Sequence, residues 1–156
     1  MKSKVKISDL VGEMNMQPDE IPIYFDKAEG EFLRINEQFF RAIEFGKTKE
    51  DFSHDWEKEN FEKAREIRYS DRYVRIPTNQ DIHEWEIMKD FCYTVEDEDV
   101  KDDLLNAIHG NGAFRYFKDK ISQYGIREDW FDFRDKEFAE IAKRWCESHD
   151  LEYIEE

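Results

Sequence analysis

The sequence predicts an α+β protein in which a small antiparallel sheet, made of a hairpin and one further strand, packs with several helices. Three observations support this fold class. Apolar residues recur at helical spacing through most of the chain, two short β-rich runs flank a glycine-bearing turn, and the C-terminal half is mainly helical in pattern. A chain of 156 residues with 15% aromatic side chains can bury one core, so we predict a single domain over residues 1–156.

The first elements are an amphipathic helix and a β-hairpin. The helix is expected to have Ser8 as its N-cap and to end before Pro18. Its apolar positions are spaced i, i+3, i+4 and i+7: Ile7, Leu10, Val11 and Met14. The runs 21–26 and 31–35 are rich in β-branched and aromatic residues, and Gly30 lies in the turn between them, which predicts the hairpin.

Two helices and a third strand follow. Asn36 is expected to cap a helix that ends at Gly46, and a polar helix is expected over residues 54–68. Their apolar residues are Phe39, Phe40 and Ile43 in the first helix, and Trp56, Phe61, Ala64 and Ile67 in the second. The run 72–76 before Pro77 predicts a strand that can pair with the hairpin.

The C-terminal half predicts consecutive helices. A capping box from Thr78 to Asp81 begins the first, and Gly110 and Gly125 end the next two. Their apolar stripes are Trp85, Met88, Cys92 and Val95; then Val100, Leu104, Leu105 and Ile108; then Phe114, Phe117, Ile121 and Tyr124. After a bend at residues 128–133, a final helix carries Phe138, Ile141, Ala142, Trp145 and His149, and a short strand is expected in 151–154. We expect one shared core for Phe114, Phe117, Phe138 and Trp145.

The formal charge of −15 is concentrated in the second half of the chain. Residues 1–78 carry 14 basic and 17 acidic side chains, whereas residues 79–156 carry 10 and 22. The densest acidic run is 96–103, where Lys101 is the one basic residue. Such a surface repels a phosphate backbone, which argues against duplex nucleic acid as a partner. It either serves solubility, meets a basic partner protein, or mimics nucleic acid.

The sequence predicts a cytoplasmic protein with reduced thiols and no membrane association. No apolar stretch has the length of a membrane span, and no signal peptide pattern precedes the first helix. Cys92 and Cys146 lie within helical patterns and lack the paired spacing of a secreted disulfide scaffold. Cys92 falls on an apolar stripe, so we expect it to be a core residue and not a nucleophile.

Several segments of the chain, taken together, resemble a known family. They are the opening helix, the hairpin Tyr24–Glu31, the strand Arg72–Pro77, the run Gly110–Asp119 and the stretch from Trp130 to Trp145. These segments are similar to a bacterial family called uncharacterised protein family 0158, and the run Gly-Ala-Phe-Arg-Tyr-Phe-Lys-Asp is the most distinctive of them. The resemblance implies a bacterial cytoplasmic protein of about this length, and it supplies no catalytic residues.

Familiar catalytic and metal-binding motifs are missing from the sequence. No serine lies in a Gly-x-Ser-x-Gly turn, no Walker or dinucleotide loop occurs, and His83-Glu84 lacks the second histidine of a zincin motif. Cys146 and His149 share a helical face, but nothing nearby supplies further zinc ligands. We therefore expect no metal and no cofactor. A non-enzymatic protein fits these absences better, although an enzyme of a new class is compatible with them.

An acidic cluster around the expected bend has two interpretations. Its members are Glu128, Asp129, Asp132 and Asp135. Two of these carboxylates together can bind a divalent cation or act as acid and base. Alternatively, Asp132 or Asp135 is the N-cap of the last helix.

A basic stripe in the first half also has two interpretations. Arg65, Arg68 and Arg72 are spaced i, i+3 and i+7, and Arg75 lies in the strand beyond them. The interleaved tyrosines, Tyr69 and Tyr73, are typical of an RNA-contacting patch. Alternatively, carboxylates such as Glu62, Glu66 and Asp71 pair with the arginines within the protein.

The candidate binding site is the turn that contains Gly110, Asn111 and Gly112, followed by Arg115 and Lys118. Free N–H groups at a helix start favour anions, so two cations placed there call for an anionic partner. We predict that this turn accepts a phosphate or carboxylate group held by both cations. The alternative is that Arg115 pairs with an internal carboxylate between Asp129 and Asp135.

Two functions stay open at this point. The first is a non-enzymatic regulatory or interaction protein that holds a partner protein through its acidic helical half or through the aromatic run 128–133. The second is an enzyme or ligand-binding protein that acts on phosphorylated or nucleic-acid substrates through an anion site at Gly110–Lys118. A deep pocket that gathers Arg115, Lys118 and carboxylates favours the second, and a flat acidic or apolar patch favours the first.

Overall fold

The structure, a computed structural model, describes residues 4–16 and 21–155. The chain packs as two compact units. The sheet unit comprises Met1–Thr78 and Ala142–Glu156, and the helical unit comprises Asn79–Ile141. The predicted α+β class is confirmed. Because two compact units are compatible with one cooperative domain or with two, the single domain over residues 1–156 stays a prediction.

The sheet unit contains both sheets of the structure's described part. Its elements are β1 (Val5–Lys6), α1 (Ile7–Met16), β2 (Ile23–Asp26), β3 (Glu31–Arg34), α2 (Glu37–Glu44), a short 3-10 helix (Lys49–Asp51), α3 (Asp55–Tyr69) and β4 (Tyr73–Arg75). The helical unit holds α4 (Asn79–Ile82), α5 (Glu84–Cys92), α6 (Glu98–Ala107) and α7 (Ala113–Gln123). The long helix α8 (Arg127–Ser148) contributes residues to both units, and β5 (Tyr153–Ile154) follows it in the sheet unit.

The predicted hairpin and third strand are confirmed as an antiparallel sheet in the order β3-β2-β4. In its register, Phe25 of β2 lies opposite Phe32 of β3 and opposite Val74 of β4. The predicted terminal strand is confirmed as β5, which pairs in parallel with β1. No sequence pattern predicts β1, because a strand of two residues is too short to show alternation.

The apolar stripe of α1 is confirmed, because Ile7, Leu10, Val11 and Met14 are all buried. Its predicted N-cap is wrong. The helix begins at Ile7, directly after β1, so Ser8 lies inside its first turn. Pro18 lies outside the described residues.

The core of the sheet unit lies where α2 and α3 meet the sheet. The cap of α2 is confirmed, since the Asn36 side chain accepts a hydrogen bond from the Gln38 backbone N–H at 3.0 Å. The buried residues of this cluster are Ile35, Phe39, Ala42, Phe61, Ala64, Ile67 and Tyr73. Trp56, expected on the apolar face of α3, is 56% exposed, so that part of the prediction is wrong.

The other face of β2 is covered by the end of α8. The Phe25 ring lies 5.3 Å from the Phe32 ring and 6.3 Å from the Trp145 ring. The Trp145 indole N–H donates to the Arg75 carbonyl at 2.9 Å, which fixes the helix end against β4.

In the helical unit, the helix predicted to run from the capping box through Cys92 is interrupted. His83 adopts left-handed backbone geometry with φ 53°, so the short α4 ends before it and α5 starts after it. Within α5 the buried residues are Ile87, Met88, Phe91 and Cys92. Trp85 and Val95 are only half-buried, so half of the predicted stripe is wrong. The prediction that Cys92 is a core residue is confirmed.

The predicted stripe of α7 holds at its centre and fails at its ends. Phe117 and Ile121 are buried, whereas Phe114 is 44% and Tyr124 40% exposed. Phe117, Phe138 and Trp145 are buried as expected, and placing Phe114 in the core was wrong.

The predicted bend at residues 128–133 is also wrong. The run lies inside α8, a continuous helix of 22 residues, because neither proline nor glycine interrupts it after Gly125. Asp132 and Asp135 are therefore interior helix residues and not N-caps. No helix within residues 4–16 or 21–155 combines the length and the apolar character needed to cross a bilayer.

Candidate functional site

The predicted anion-accepting turn separates α6 from α7, as the glycines indicated. Gly110 and Gly112 both have positive φ angles, 99° and 77°, and Gly112 is the N-cap of α7. A Cβ atom on Gly112 would lie 3.2 Å from the Tyr116 ring, so this glycine also makes room for an aromatic side chain. Gly110, Asn111 and Gly112 are all exposed.

The two cations of the predicted site differ in their position relative to the neighbouring cavity. Both Arg115 and Lys118 are exposed, but only Lys118 lines the neighbouring cavity. Arg115 forms no ion pair with any residue in 4–16 or 21–155, so the alternative pairing with a carboxylate between Asp129 and Asp135 is not formed. Joint binding of an anion by Arg115 and Lys118 stays a prediction.

A cavity of about 350 Å³ lies in the helical unit between α5, α7 and α8. We call it the aromatic cavity, and its wall is formed by Glu84, Met88, Phe114, Phe117, Lys118, Asp119, Ile121, Ser122, Arg127, Trp130, Phe131 and Arg134. Six of them belong to α7, and four of these, Phe114, Phe117, Lys118 and Ile121, follow the spacing i, i+3, i+4 and i+7. Its volume is within the range of small-molecule sites.

Trp130 forms the inner wall of the aromatic cavity. It is 3% exposed, and its ring meets the Phe117 ring edge-on at 4.8 Å. Within the described part of the chain, its indole N–H has no hydrogen-bond acceptor, unlike those of Trp85 and Trp145. No fully buried side-chain polar atom of the described residues lacks a partner. The Trp130 N–H is therefore not fully buried, and Trp130 is one of the residues that line the aromatic cavity.

Three cations line the aromatic cavity, in a unit that carries 17 acidic and 8 basic side chains. The Arg134 Nε donates to Glu84 Oε1 at 2.9 Å, and its guanidinium lies 4.5 Å from the centre of the Phe138 ring. The Arg127 guanidinium lies 5.4 Å from the centre of the Phe131 ring. Neither Arg127 nor Lys118 forms an ion pair with a residue that the structure describes. Their charges are available to an anion.

Sequence reasoning identified Lys118 and missed the rest of the cavity. The Glu84–Arg134 pair joins residues fifty positions apart, which no local pattern reveals. A helical reading of residues 127–134 would have placed Arg127, Trp130, Phe131 and Arg134 at i, i+3, i+4 and i+7. The mistaken bend concealed that spacing.

The other candidate clusters lie outside this cavity. Glu128, Asp129, Asp132 and Asp135 are exposed along α8. Among the described residues, no group of three or more histidine, cysteine or acidic side chains is arranged to hold a metal ion. Burial raises the pKa of the Cys146 thiol to about 11, and His149 is exposed beside Trp145.

The basic stripe is largely neutralised within the protein, as one of its two interpretations proposed. Arg65 lies 4.0 Å from Glu62, and Arg68 lies 3.2 Å from Glu44. Arg72 donates through Nε and Nη2 to the buried carboxylate of Asp26, at 2.7 and 2.8 Å. The hydrogen bonds from Arg72 hold the pKa of Asp26 below its usual value.

Comparison with known proteins identifies a family and nothing further. The family model described as Uncharacterised protein family (UPF0158) matches residues 4–156. No curated protein and no solved structure matches the chain.

Proposed function

The chain belongs to the uncharacterised protein family UPF0158, and because that description names no activity, we propose a function from the aromatic cavity itself. The protein is a non-enzymatic binding protein, and the aromatic cavity holds a small organic anion with an apolar or aromatic body. The observation that carries this proposal is the coincidence, on one wall, of buried aromatic rings, an indole N–H without an acceptor, and two cations without carboxylate partners.

The chemistry of the wall supports that ligand class. Phe114 and Phe131 are 44% and 42% exposed and offer an apolar surface to a ring or hydrocarbon. The same wall contains the buried side chains of Phe117, Trp130 and Met88. Arg127 and Lys118 supply positive charge at the same cavity, and the Trp130 N–H supplies a neutral donor. A ligand that lacks either the anionic group or the apolar body leaves one part of this wall unused.

The test uses anilinonaphthalene sulfonate, a fluorescent aromatic anion, and phenylnaphthylamine, its uncharged relative. We expect Arg127→Gln to weaken binding of the sulfonate at least about tenfold, because one charge-assisted hydrogen bond is lost. Binding of the uncharged probe should not change. Trp130→Phe should also weaken binding of the sulfonate, but by a smaller factor than Arg127→Gln.

Arg115→Gln is the matched control, since Arg115 is an exposed arginine of α7 that does not line the cavity. If it weakens sulfonate binding as much as Arg127→Gln does, the anion site is the Gly110–Lys118 turn and not the aromatic cavity. Equal binding of the two probes by the wild type would refute recognition of the anion.

A second candidate function is the binding of a basic partner protein by the acidic run 96–103. Part of this run serves the fold, because Asp97 caps α6 and Asp103 accepts hydrogen bonds from Tyr124 and Lys120. Glu96, Asp99 and Asp102 are exposed and form no ion pair with any described residue. The test is a variant that combines Glu96→Gln, Asp99→Asn and Asp102→Asn. When the protein is immobilised, proteins from the native cell should bind the wild type in a salt-sensitive way and should not bind this variant. Equal binding of these proteins by the variant and the wild type would refute the acidic run as a binding surface.

We also propose that the protein works in the bacterial cytoplasm. The support is the family resemblance and the two cysteines, which are buried free thiols.

A further inference from the structure

A second cavity, of about 500 Å³, lies within the sheet unit. We call it the arginine cleft, and its wall is formed by Pro22, Tyr24, Glu37, Phe40, Arg41, Glu44, Ile67, Arg68 and Arg75. One face of α2 supplies residues at i, i+3, i+4 and i+7, and α3 supplies its last turn. Tyr24 and Arg75 lie opposite each other on β2 and β4. None of these residues belongs to the aromatic cavity.

Three arginines line the cleft, and they differ in whether a carboxylate already pairs with them. Arg41 pairs with Glu37 and Arg68 pairs with Glu44, both at 3.2 Å and both on the surface. Exposed pairs of this kind are weak, so a stronger anion can replace the carboxylate while the guanidinium stays in place. Arg75 has no carboxylate within ion-pair distance among the described residues.

Tyr24 lines the same cleft as Arg75 and Arg68. Burial and the charge of Glu37 raise the pKa of its phenol, while the charges of Arg75 and Arg68 act in the opposite direction. The hydroxyl forms no hydrogen bond with residues 4–16 or 21–155. The Tyr24 ring lies 5.7 Å from the Phe40 ring, and both side chains are half-buried.

We propose that the arginine cleft binds a mononucleotide, a single phosphate monoester attached to a planar base. A guanidinium group binds phosphate oxygens through two parallel hydrogen bonds, and the cleft that Tyr24 lines also contains Arg75 and Arg68. Tyr24 and Phe40 offer half-buried aromatic surface on which a base can stack. A longer nucleic acid is excluded, because a chain of formal charge −15 repels a polyanion beyond the cleft.

The experiment is isothermal titration of the full chain with adenosine monophosphate. We expect Arg75→Gln to weaken binding at least about tenfold, and Tyr24→Phe, which keeps the ring, to weaken it by a smaller factor. The matched control is Arg65→Gln, because Arg65 is an exposed arginine of α3 that pairs with Glu62 and does not line the cleft. Unchanged binding in this control is expected, and equal losses in Arg65→Gln and Arg75→Gln would overturn the proposal.

Three further ligands test the proposed class. Adenosine and inorganic phosphate should each bind more weakly than the monophosphate, since each lacks one half of it. Phosphate binding as tight as that of the monophosphate would overturn the role of the base, and tighter binding of oligodeoxythymidylate would overturn the exclusion of polyanions. Arg127→Gln, in the aromatic cavity, should not affect the titration. If it abolishes binding, the nucleotide site is the aromatic cavity and the cleft is not a site.

Discussion

The buried carboxylate of Asp26 should be a major source of stability in the sheet unit, and Asp26→Asn tests it. Asp26 is 3% exposed and lies at the end of β2, where the hairpin turn begins. It accepts hydrogen bonds from Arg72 Nε and Nη2 at 2.7 and 2.8 Å, and from the backbone N–H groups of Ala28 and Glu29 at 2.9 and 3.3 Å. One side chain thus joins the hairpin turn to the chain before β4.

The expected loss of unfolding free energy follows from these contacts. Asparagine keeps the shape and one acceptor oxygen, but its amide group faces a guanidinium donor, so one charge-assisted bond is lost and the other becomes weaker. Hydrogen bonds to charged groups contribute about 1.5–3 kcal/mol each, which gives an expected cost of about 2–4 kcal/mol. The Arg72 side chain is 34% exposed, so water can still solvate its charge in the variant. The loss of unfolding free energy should therefore be smaller than for a fully buried charge that loses its partner.

Urea unfolding followed by circular dichroism measures this cost. With a slope of about 2 kcal/mol per molar urea, the midpoint should fall by about 1–2 M. Glu62→Gln is the control, since it removes an exposed pair with a 4.0 Å separation and should cost under about 1 kcal/mol. A midpoint shift for Asp26→Asn no larger than that of Glu62→Gln would refute the reasoning.

The same pair predicts a pH dependence with a definite sign. The pKa of Asp26 is lowered in the folded state, chiefly by the Arg72 hydrogen bonds. Its stabilisation is therefore present above the unfolded pKa, about 4, and is lost as the pH falls through the folded value. The difference between the wild type and Asp26→Asn should be largest at neutral pH and should shrink in acid.

Three further predictions concern the core, the thiols and the surface charge. Phe117→Ala should lower the unfolding free energy by about 3–5 kcal/mol, because Phe117 is 1% exposed and packs on Trp130; an unchanged thermal transition would contradict this. Cys92 and Cys146 should react with a thiol reagent at neutral pH only after unfolding, since both are buried and burial raises the pKa of each thiol to about 11; prompt reaction of the native protein would contradict their burial. The melting temperature should rise from low to moderate salt, as screening weakens repulsion among the excess carboxylates, and a flat or falling response would mean that those carboxylates are already compensated.

Local patterns in the sequence were sufficient for the hairpin, the caps of α2 and the core of α3. A cap such as Asn36, or a stripe such as Phe61, Ala64 and Ile67, depends on neighbours within one or two turns, and those neighbours are adjacent in the sequence. The failures have a different origin. A left-handed residue other than glycine, such as His83, leaves no signal in the residue pattern, yet it ends one helix, and a second helix begins directly after it.

Local sequence patterns also fail to identify the residues that form the aromatic cavity. On α7, the wall of the aromatic cavity is formed by Phe114, Phe117, Lys118, Asp119, Ile121 and Ser122. Arg115 shares the spacing i, i+3, i+4 and i+7 with Lys118, Asp119 and Ser122, so it lies on the same side of the helix, but it does not line the cavity. Spacing along α7 cannot identify the wall, because Trp130 and Arg127 of another helix complete it. Only tertiary packing supplies that information.

The excess of acidic residues makes the unpaired cations informative. With 39 acidic and 24 basic side chains, a basic group on the surface of this protein has carboxylates available to it in abundance. Arg75, Lys118 and Arg127 form no ion pair with the residues that the structure describes, and, unlike the equally unpaired Arg115, each lines a cavity that also carries aromatic rings. A small anion meets such a cation together with an apolar surface, whereas a polyanion must also cross the acidic surface around it. We therefore propose that the charge distribution that disfavours nucleic acid also favours small ligands with a single anionic group at both cavities.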